Sequence, residues 1–446
     1  MQMEKAVSEN LDLKNWYLSN FDFFESKLNG RGAIPFHETR RAAISRFSAL
    51  GFPTPRNEEW KYTNVAPLLR HKFKLAQEPV HLTKTALAEF VFAGLPQNLL
   101  VFVNGRFAKE LSHVESPAKG LVLESLANVL QRGDDLTNKY LGRYANFENE
   151  AFIALNTAFA DDGAFIRVPR KTVLDEPIHL LNISDSSKMS FLAHPRHLIL
   201  IGEGSQVQII ESYHHLANQA YFNNIVTEMV VEESAIVDHV RIQNESRQAY
   251  HVAAREVYQA TGSVYSSISI DLGGALVRNN FNLRLQAENC EGNLFGFYMA
   301  AGQQLVDNHT LIDHAKPHCN SKEHYKGILD DKAHGVFNGK VMVRPDAQKT
   351  NAYQSNQCLL LNNEAVVNAK PQLEIFADDV KCSHGAAIGQ LDEDAAFYLR
   401  SRGIGEEEAN SMLRYAYASE VLDHIKIAPV RERLDKMVNA GFNEKQ

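Results

Sequence analysis

The 446-residue chain has no GxxxxGK[ST] phosphate loop, no GxGxxG turn after a strand and no GxSxG nucleophile signature. Any step driven by ATP would therefore need a second protein to supply the nucleotide site. Only four cysteines occur, Cys290, Cys319, Cys358 and Cys382, and none forms a CxxC pair. That scarcity excludes a disulfide framework of the small secreted kind, and no self-contained zinc or iron–sulfur site can be read from cysteine spacing. Long apolar runs are missing: the best stretch, around 197–202, falls far short of the roughly 18 residues a membrane helix needs. The opening MQMEKAVSENLDLKNWYLSN has no apolar core, which predicts no secretory signal and a cytoplasmic protein with reduced thiols. A basic excess is absent as well. Lys and Arg number 46 against 54 Asp and Glu, a net charge of −8, which argues against a nucleic-acid partner.

What is present is globular in balance, with 44% apolar and 22% charged residues, and the length predicts two or three structural units. The first, over 1–160, reads as mostly helical. Trp16, Phe21, Phe24 and Leu28 sit near i, i+4 spacing, with Gly30 as a stop. A second helix runs from about Glu38 to Leu50 and closes at Gly51. Leu99–Val103 followed by Asn104-Gly105 predicts a strand hairpin near 99–107, and helical patterns return over 121–132 and 147–160. From about Ala164 short β-rich runs take over. Units beginning at Gly204, Glu233, Gly262 and Glu291 recur at 29-residue intervals, each with a small or polar turn residue before an alternating apolar run. A fixed period of this kind signals a β-solenoid over 161–389, because one coil cannot bury its inner face without a neighbour. A β-sandwich is the alternative, although sandwich strands recur at shorter spacing without a longer period. A third unit, 390–446, is helical. Asp392 caps the first helix, Gly403 stops it, Gly405 opens the second with Glu406, Glu407 and Glu408 in its first turn, and the last runs from Val430. The fold class expected is mainly β: a parallel β-helix core flanked by helical domains.

Two stretches hold candidate chemistry. Asn308–Cys319 carries His309, His314, His318 and Cys319, with His324 and His334 beyond. Imidazole and thiol this close invite a metal reading, yet strand alternation and Pro317 spread them, and turn or inner-face polar residues of the coil fit equally. The second stretch is Asp378–Gly385. On a strand, Cys382 and His384 lie two apart and share a face. Thiolate plus imidazole suits iron–sulfur or zinc chemistry, but two ligands do not complete a site, so the rest would come from another chain. A small buried Cys382 beside an ordinary rim His384 is the other reading.

The run TNAYQSNQCLLLNNEAVVNAKPQLEIFADDVKCSHGAAIGQLDEDAAFYLRSRGIGEEEANSM over 350–412 resembles the SufB/SufD family of iron–sulfur cluster assembly scaffold proteins. So do NEEWKYT at 57–63 and HAKPHCNSKEHYKGILDDKAHGVFNG at 314–339, and the similarity covers nearly the whole chain. The triplet Cys382-Ser383-His384, with no N-terminal cysteine cluster, places it on the SufD side of the family. The resemblance implies a right-handed parallel β-helix between two helical domains and a non-catalytic scaffold subunit working with SufB and two SufC ATPases. It implies SufB pairing through β-helix strands and SufC docking on the helices over 392–425, for which Tyr398, Arg402, Met412, Leu413, Tyr417 and Val421 are the candidate contacts. His384 would be a ligand at the SufB interface during cluster building, and Cys382 a weaker one. No cluster would be held stably by this chain alone; ATP and Mg would be bound by SufC, and a sulfur donor would act indirectly. Two rival classes remain. A β-helix carbohydrate-active enzyme would need paired carboxylates among Asp307, Asp313, Asp330 and Asp331. A stand-alone metal-binding protein would use the histidines of 309–334.

Overall fold

In a computed structural model, residues 2–28, 34–76, 82–114 and 118–443 are described. The stop expected at Gly30 lies outside them. The centre is a two-sheet parallel solenoid in which successive strands alternate between a 12-stranded and a 10-stranded sheet. From Gln206–His215 and Phe222–Val231 onward, each strand pairs in parallel with the strand one coil ahead, and the coil ends at Lys381–Gly389.

The repeat has a visible cause at the corners. Gly204, Ser234, Gly262, Asn289, His318 and Lys349 all take left-handed backbone conformations, with φ between 56° and 65°. Each donates its backbone N–H to a carbonyl on the following coil: Gly204 to Glu233, Ser234 to Thr261, Gly262 to Glu288, Asn289 to Pro317, His318 to Gln348, Lys349 to Asp379. Glycine adopts this conformation freely and asparagine tolerates it, whereas the other corner residues are held there by the stacked bonds. Inside, large side chains fit because glycines face them. Gly296 lies under the Tyr325 ring and Gly327 under Tyr298, where an added Cβ would come within 2.2 Å and 2.4 Å of ring carbons.

Both broad faces are covered. Helices Gln2–Ser26, Phe36–Leu50 and Ala151–Phe159 pack on the 12-stranded sheet, where Tyr17, Phe21, Phe47, Phe52 and Phe152 meet Phe222, Tyr250 and Leu276. A fully buried Arg196–Glu228 pair, 2.7 Å apart, fixes this layer. Arg196 also donates to Asn156 and Thr157, and Glu228 accepts the backbone N–H groups of Gly142, Tyr144 and Ala145. On the other side Glu406–Leu422 and Ala428–Asn443 lie against the 10-stranded sheet, burying Val421, Leu422, Val430 and Leu434 on Ile242, Ile270, Phe297 and Ile328.

The helix stops at Gly51 and Gly403 and the cap at Asp392, which accepts the Ala395 N–H, are as expected. Asn98–Val103 and Arg106–Phe107 form the hairpin, and the first of these strands also joins the 10-stranded sheet beside Ile178–Ser184. The helix expected over 121–132 is half strand. Val122–Ser125 pairs antiparallel with Ala164–Val168, and the helix is confined to Leu126–Arg132. Backbone pairing with the edge of the 12-stranded sheet wins over the 3.6-residue pattern there.

Burial makes the interior acid-sensitive. The rings of His179, His194 and His214 are pushed down to about 3, and those of His197 and His314 to about 4, all chiefly by desolvation. Below the ordinary value of 6.5 an unfolded chain takes up protons that these folded rings refuse, so stability falls as the pH drops from there towards 4. Glu256 and Glu323, raised by burial to about 8 and about 7, act in the opposite sense but are outnumbered. The urea midpoint is expected to be lower at about pH 5 than at about pH 7. An unchanged or higher midpoint would refute this account.

Candidate functional site

Among the described residues, no strand caps either sheet of the solenoid's last coil. Lys381–Gly389 pairs on one side with Asn351–Leu360, and among the described residues its other edge has no strand partner. The register sets the direction of its side chains. Cys382 lies opposite Ala352, His384 opposite Gln354, Ala386 opposite Asn356 and Ile388 opposite Cys358. All four of those partners are buried in the solenoid interior. The four residues of the last strand therefore continue interior columns onto a coil that nothing covers. His384, Ala386 and Ile388 are exposed there, while Cys382 is half-buried among Val341, Val343, Ala352 and Ala377. Val366, Ile375 and Phe376 on the other sheet's final coil are exposed too. Cys382 and His384 share a face, as the spacing predicts.

The rung is anchored at its start. Lys381 N–H donates to the Thr350 carbonyl, the Asp379 N–H to Gln348 Oε1, and the Lys349 ammonium pairs with the Asp379 carboxylate. Behind His384 the column turns polar. Gln354 Nε2 donates to Glu323 Oε2 at 2.8 Å, both side chains being fully buried. Desolvation pushes the Glu323 carboxyl up to about 7 although Thr310 and Gln354 oppose the shift. Burial likewise raises the Cys382 thiol above its usual range, so it is mostly protonated near neutrality.

The other cysteines are interior. Cys290 and Cys319 stack one coil apart with both thiols 3.2 Å from the Ala287 carbonyl, and Cys358 lies 3.3 Å from the Tyr298 hydroxyl. The 309–334 histidines are not brought together. His309 bonds Asp307 and faces Glu59, His314 bonds Ser321 in the interior, His318 turns a corner, and His334 bonds Asn368. Among the described residues no group of three or more His, Cys, Asp or Glu side chains could hold a metal ion. The aspartates are equally dispersed: Asp307 is paired with Arg278 and Thr63, and Asp313 with Arg344.

NEEWKYT is a strap. Trp60 lies under Arg278, 4.3 Å from its guanidinium carbon, Arg278 donates to the Glu59 carbonyl, Thr63 donates to Asp307, and Glu58 pairs with Lys370 at 2.7 Å. It ties the N-terminal layer to successive coils close to the open end.

The C-terminal candidates divide. Glu393–Ser401 buries no residue and leaves Phe397 71% and Tyr398 58% exposed, with Arg402 over the Tyr398 ring. Met412 is also exposed, and Leu413 is half-covered. Tyr417 lies under the Lys326 ammonium, which pairs with Glu420, and Val421 is fully buried on the solenoid. Val421 therefore holds its helix to the sheet and offers no surface to a partner. Ile388 and Phe376 were not singled out by pattern, and Phe397 reads only as an apolar residue of its helix, since an exposed apolar residue looks like a core residue in a sequence.

No described helix is long and apolar enough to cross a membrane. Native thiol labelling should modify one cysteine per chain and be lost in Cys382→Ala; two or more reactive thiols in the native chain would contradict the interior placement of the other three.

Comparison with known proteins agrees with this geometry. The SufBD core domain of the SUF iron–sulfur cluster assembly system matches residues 182–417, and the SufBD N-terminal region matches residues 11–180. An iron–sulfur cluster assembly SufBD family protein of Synechocystis is 37% identical over 408 residues, covering 90% of each chain. The iron–sulfur cluster assembly protein SufD of Escherichia coli is 32% identical over 387 residues, covering 86% of this chain and 88% of that one. A solenoid between two helical layers, matched along almost its whole length in this way, belongs to the SufBD family of iron–sulfur cluster assembly proteins.

Proposed function

We propose that this chain is a non-catalytic cytoplasmic scaffold that pairs with a SufB-like subunit and carries a SufC-type ATPase, so that a nascent iron–sulfur cluster is built at the shared interface. The observation carrying this reading is the uncovered last coil. An exposed interior rung with a free backbone edge matches what strand addition by a second solenoid requires, since ladder bonds supply affinity and the side-chain columns supply register. Cys382 and His384 stand on that rung. The nascent cluster is cargo, and one imidazole with one half-buried thiol supplies too few donors to own it. A partner strand bringing its own ligands makes the set complete.

The ATPase seat is the helix Glu393–Ser401 with Met412 beside it. Phe397, Tyr398 and Met412 are large side chains that the chain's own core leaves exposed, with Arg402 over the Tyr398 ring and Leu413 half-covered. Tyr417 and Val421 link that surface rigidly to the 10-stranded sheet. ATP binding in the partner would then shift the scaffold pair by favouring one arrangement over another.

Four outcomes test the reading. His384→Ala should abolish cluster assembly in the reconstituted complex while leaving the complex intact on gel filtration, and assembly at the wild-type rate would sink the ligand role. Ile388→Glu, at an already exposed position, should leave the chain folded but remove co-purification with the SufB-like subunit. Phe397→Ala with Tyr398→Ala should release the ATPase and spare the scaffold pair; retention of the ATPase would place its seat elsewhere. The chain alone, reconstituted anaerobically, should show no stable iron–sulfur absorption.

A further inference from the structure

The interior column ending at His384 has polar members behind it, and the hydrogen bond between two of them has a direction. Glu323 on Asn320–Leu329, Gln354 on Asn351–Leu360 and His384 on Lys381–Gly389 are in register on three successive coils. Gln354 spends its Nε2 on Glu323 Oε2, and its Oε1, fully buried, has no partner. On the facing sheet Gly339 leaves room for this amide: a Cβ there would come within 2.6 Å of Gln354 Nε2. Ionised Glu323 can only accept, so behind the amide it fixes which end is left over, and the end left over is an acceptor. The next side chain along the column is an imidazole.

An imidazole that ligates a metal through one ring nitrogen donates its other N–H to a carbonyl or carboxylate, which sets the tautomer and the ring plane. We propose that Gln354, oriented by Glu323, is a positioning residue for His384: once a partner covers the open end, Gln354 Oε1 accepts the ring N–H of His384 and leaves the other ring nitrogen free for iron. This rests on the ligand reading of His384 given above. It assigns a task to a fully buried acid–amide pair.

The test uses the full reconstituted complex. Gln354→Met keeps the side-chain length and removes both amide atoms. It should lower the initial rate of cluster assembly about tenfold, the low end of the loss seen when a metal-bound histidine loses its second hydrogen-bond partner. Recovery of the complex and its melting temperature should be unchanged. Glu323→Gln lets the Gln354 amide turn either way and should cost about twofold. In a His384→Cys background the ligand is a thiolate with no ring to orient, so both substitutions should then be without effect. Equal losses in the two backgrounds would reveal a packing role and overturn the proposal, as would a wild-type rate in Gln354→Met. Should Gln354→Met fail to yield the complex, Glu323→Gln decides by the same comparison. His384→Ala, measured in parallel, separates the layers. A full rate there removes the ligand reading itself, whereas loss there with a full rate in Gln354→Met removes only the positioning role.

Discussion

Every coil of a parallel solenoid completes its backbone bonds and covers its interior side chains with the coil after it. Among the described residues the strand Lys381–Gly389 has no successor, and the residues that continue the interior columns are exposed there. The rest of the molecule is arranged around that unfinished end. Aromatic helices cover the 12-stranded sheet, C-terminal helices cover the 10-stranded sheet, and the left-handed corners pin each coil to the next. With both faces covered, the end is a place where the core itself can be offered to a partner without unfolding anything.

An exposed interior rung is a hazard unless it is held in register, because a free, flat edge invites fraying or indiscriminate pairing. The fixings at Thr350, Gln348 and Lys349 stop the rung from peeling at its start. The strap acts further back. Arg278, paired with Asp307 at zero exposure of the latter's side chain, joins two successive coils to Glu59 and Trp60, so the N-terminal layer braces the coils on which the end is built. Removing Asp307 would leave a buried guanidinium without a carboxylate, and removing Arg278 would leave buried Asp307 with only His309 and Thr63, each costlier than the pair is stabilising.

The period was legible because its cause is local. A corner needs one residue in the left-handed region per coil, and Gly204 and Gly262 announce it. Further along, Asn289, His318 and Lys349 fill the same corner by virtue of the stacked bonds, so the pattern fades from the sequence while the structure keeps it. The sharing of a face by Cys382 and His384 was legible for a similar reason, strand alternation being a two-residue rule. Val421 was not: helical spacing marks an apolar stripe without saying whether the chain's own sheet or a partner receives it. The polar column was least legible of all. Glu323, Gln354 and Asn356 would be assigned to the outside by polarity, and only register shows them stacked inside.

The separation between the two proposed partner surfaces follows from this plan. The proposed ATPase seat rides on a helix with no buried residue of its own, joined to the solenoid through the next helix and its contacts at Tyr417, Glu420 and His424. Glu420 pairs with Lys326, a residue of the same strand that carries Glu323 on its opposite face. A push on the helical layer is therefore delivered to the strand that begins the polar column, two coils from the open rung. Tightly packed interiors transmit displacement and do not absorb it, so a movement imposed by nucleotide at the outer face would arrive at His384 through Glu323 and Gln354. Such coupling needs two arrangements of the end, covered and uncovered, that differ in free energy, and an amide oxygen left without a partner until the end is covered supplies one such difference.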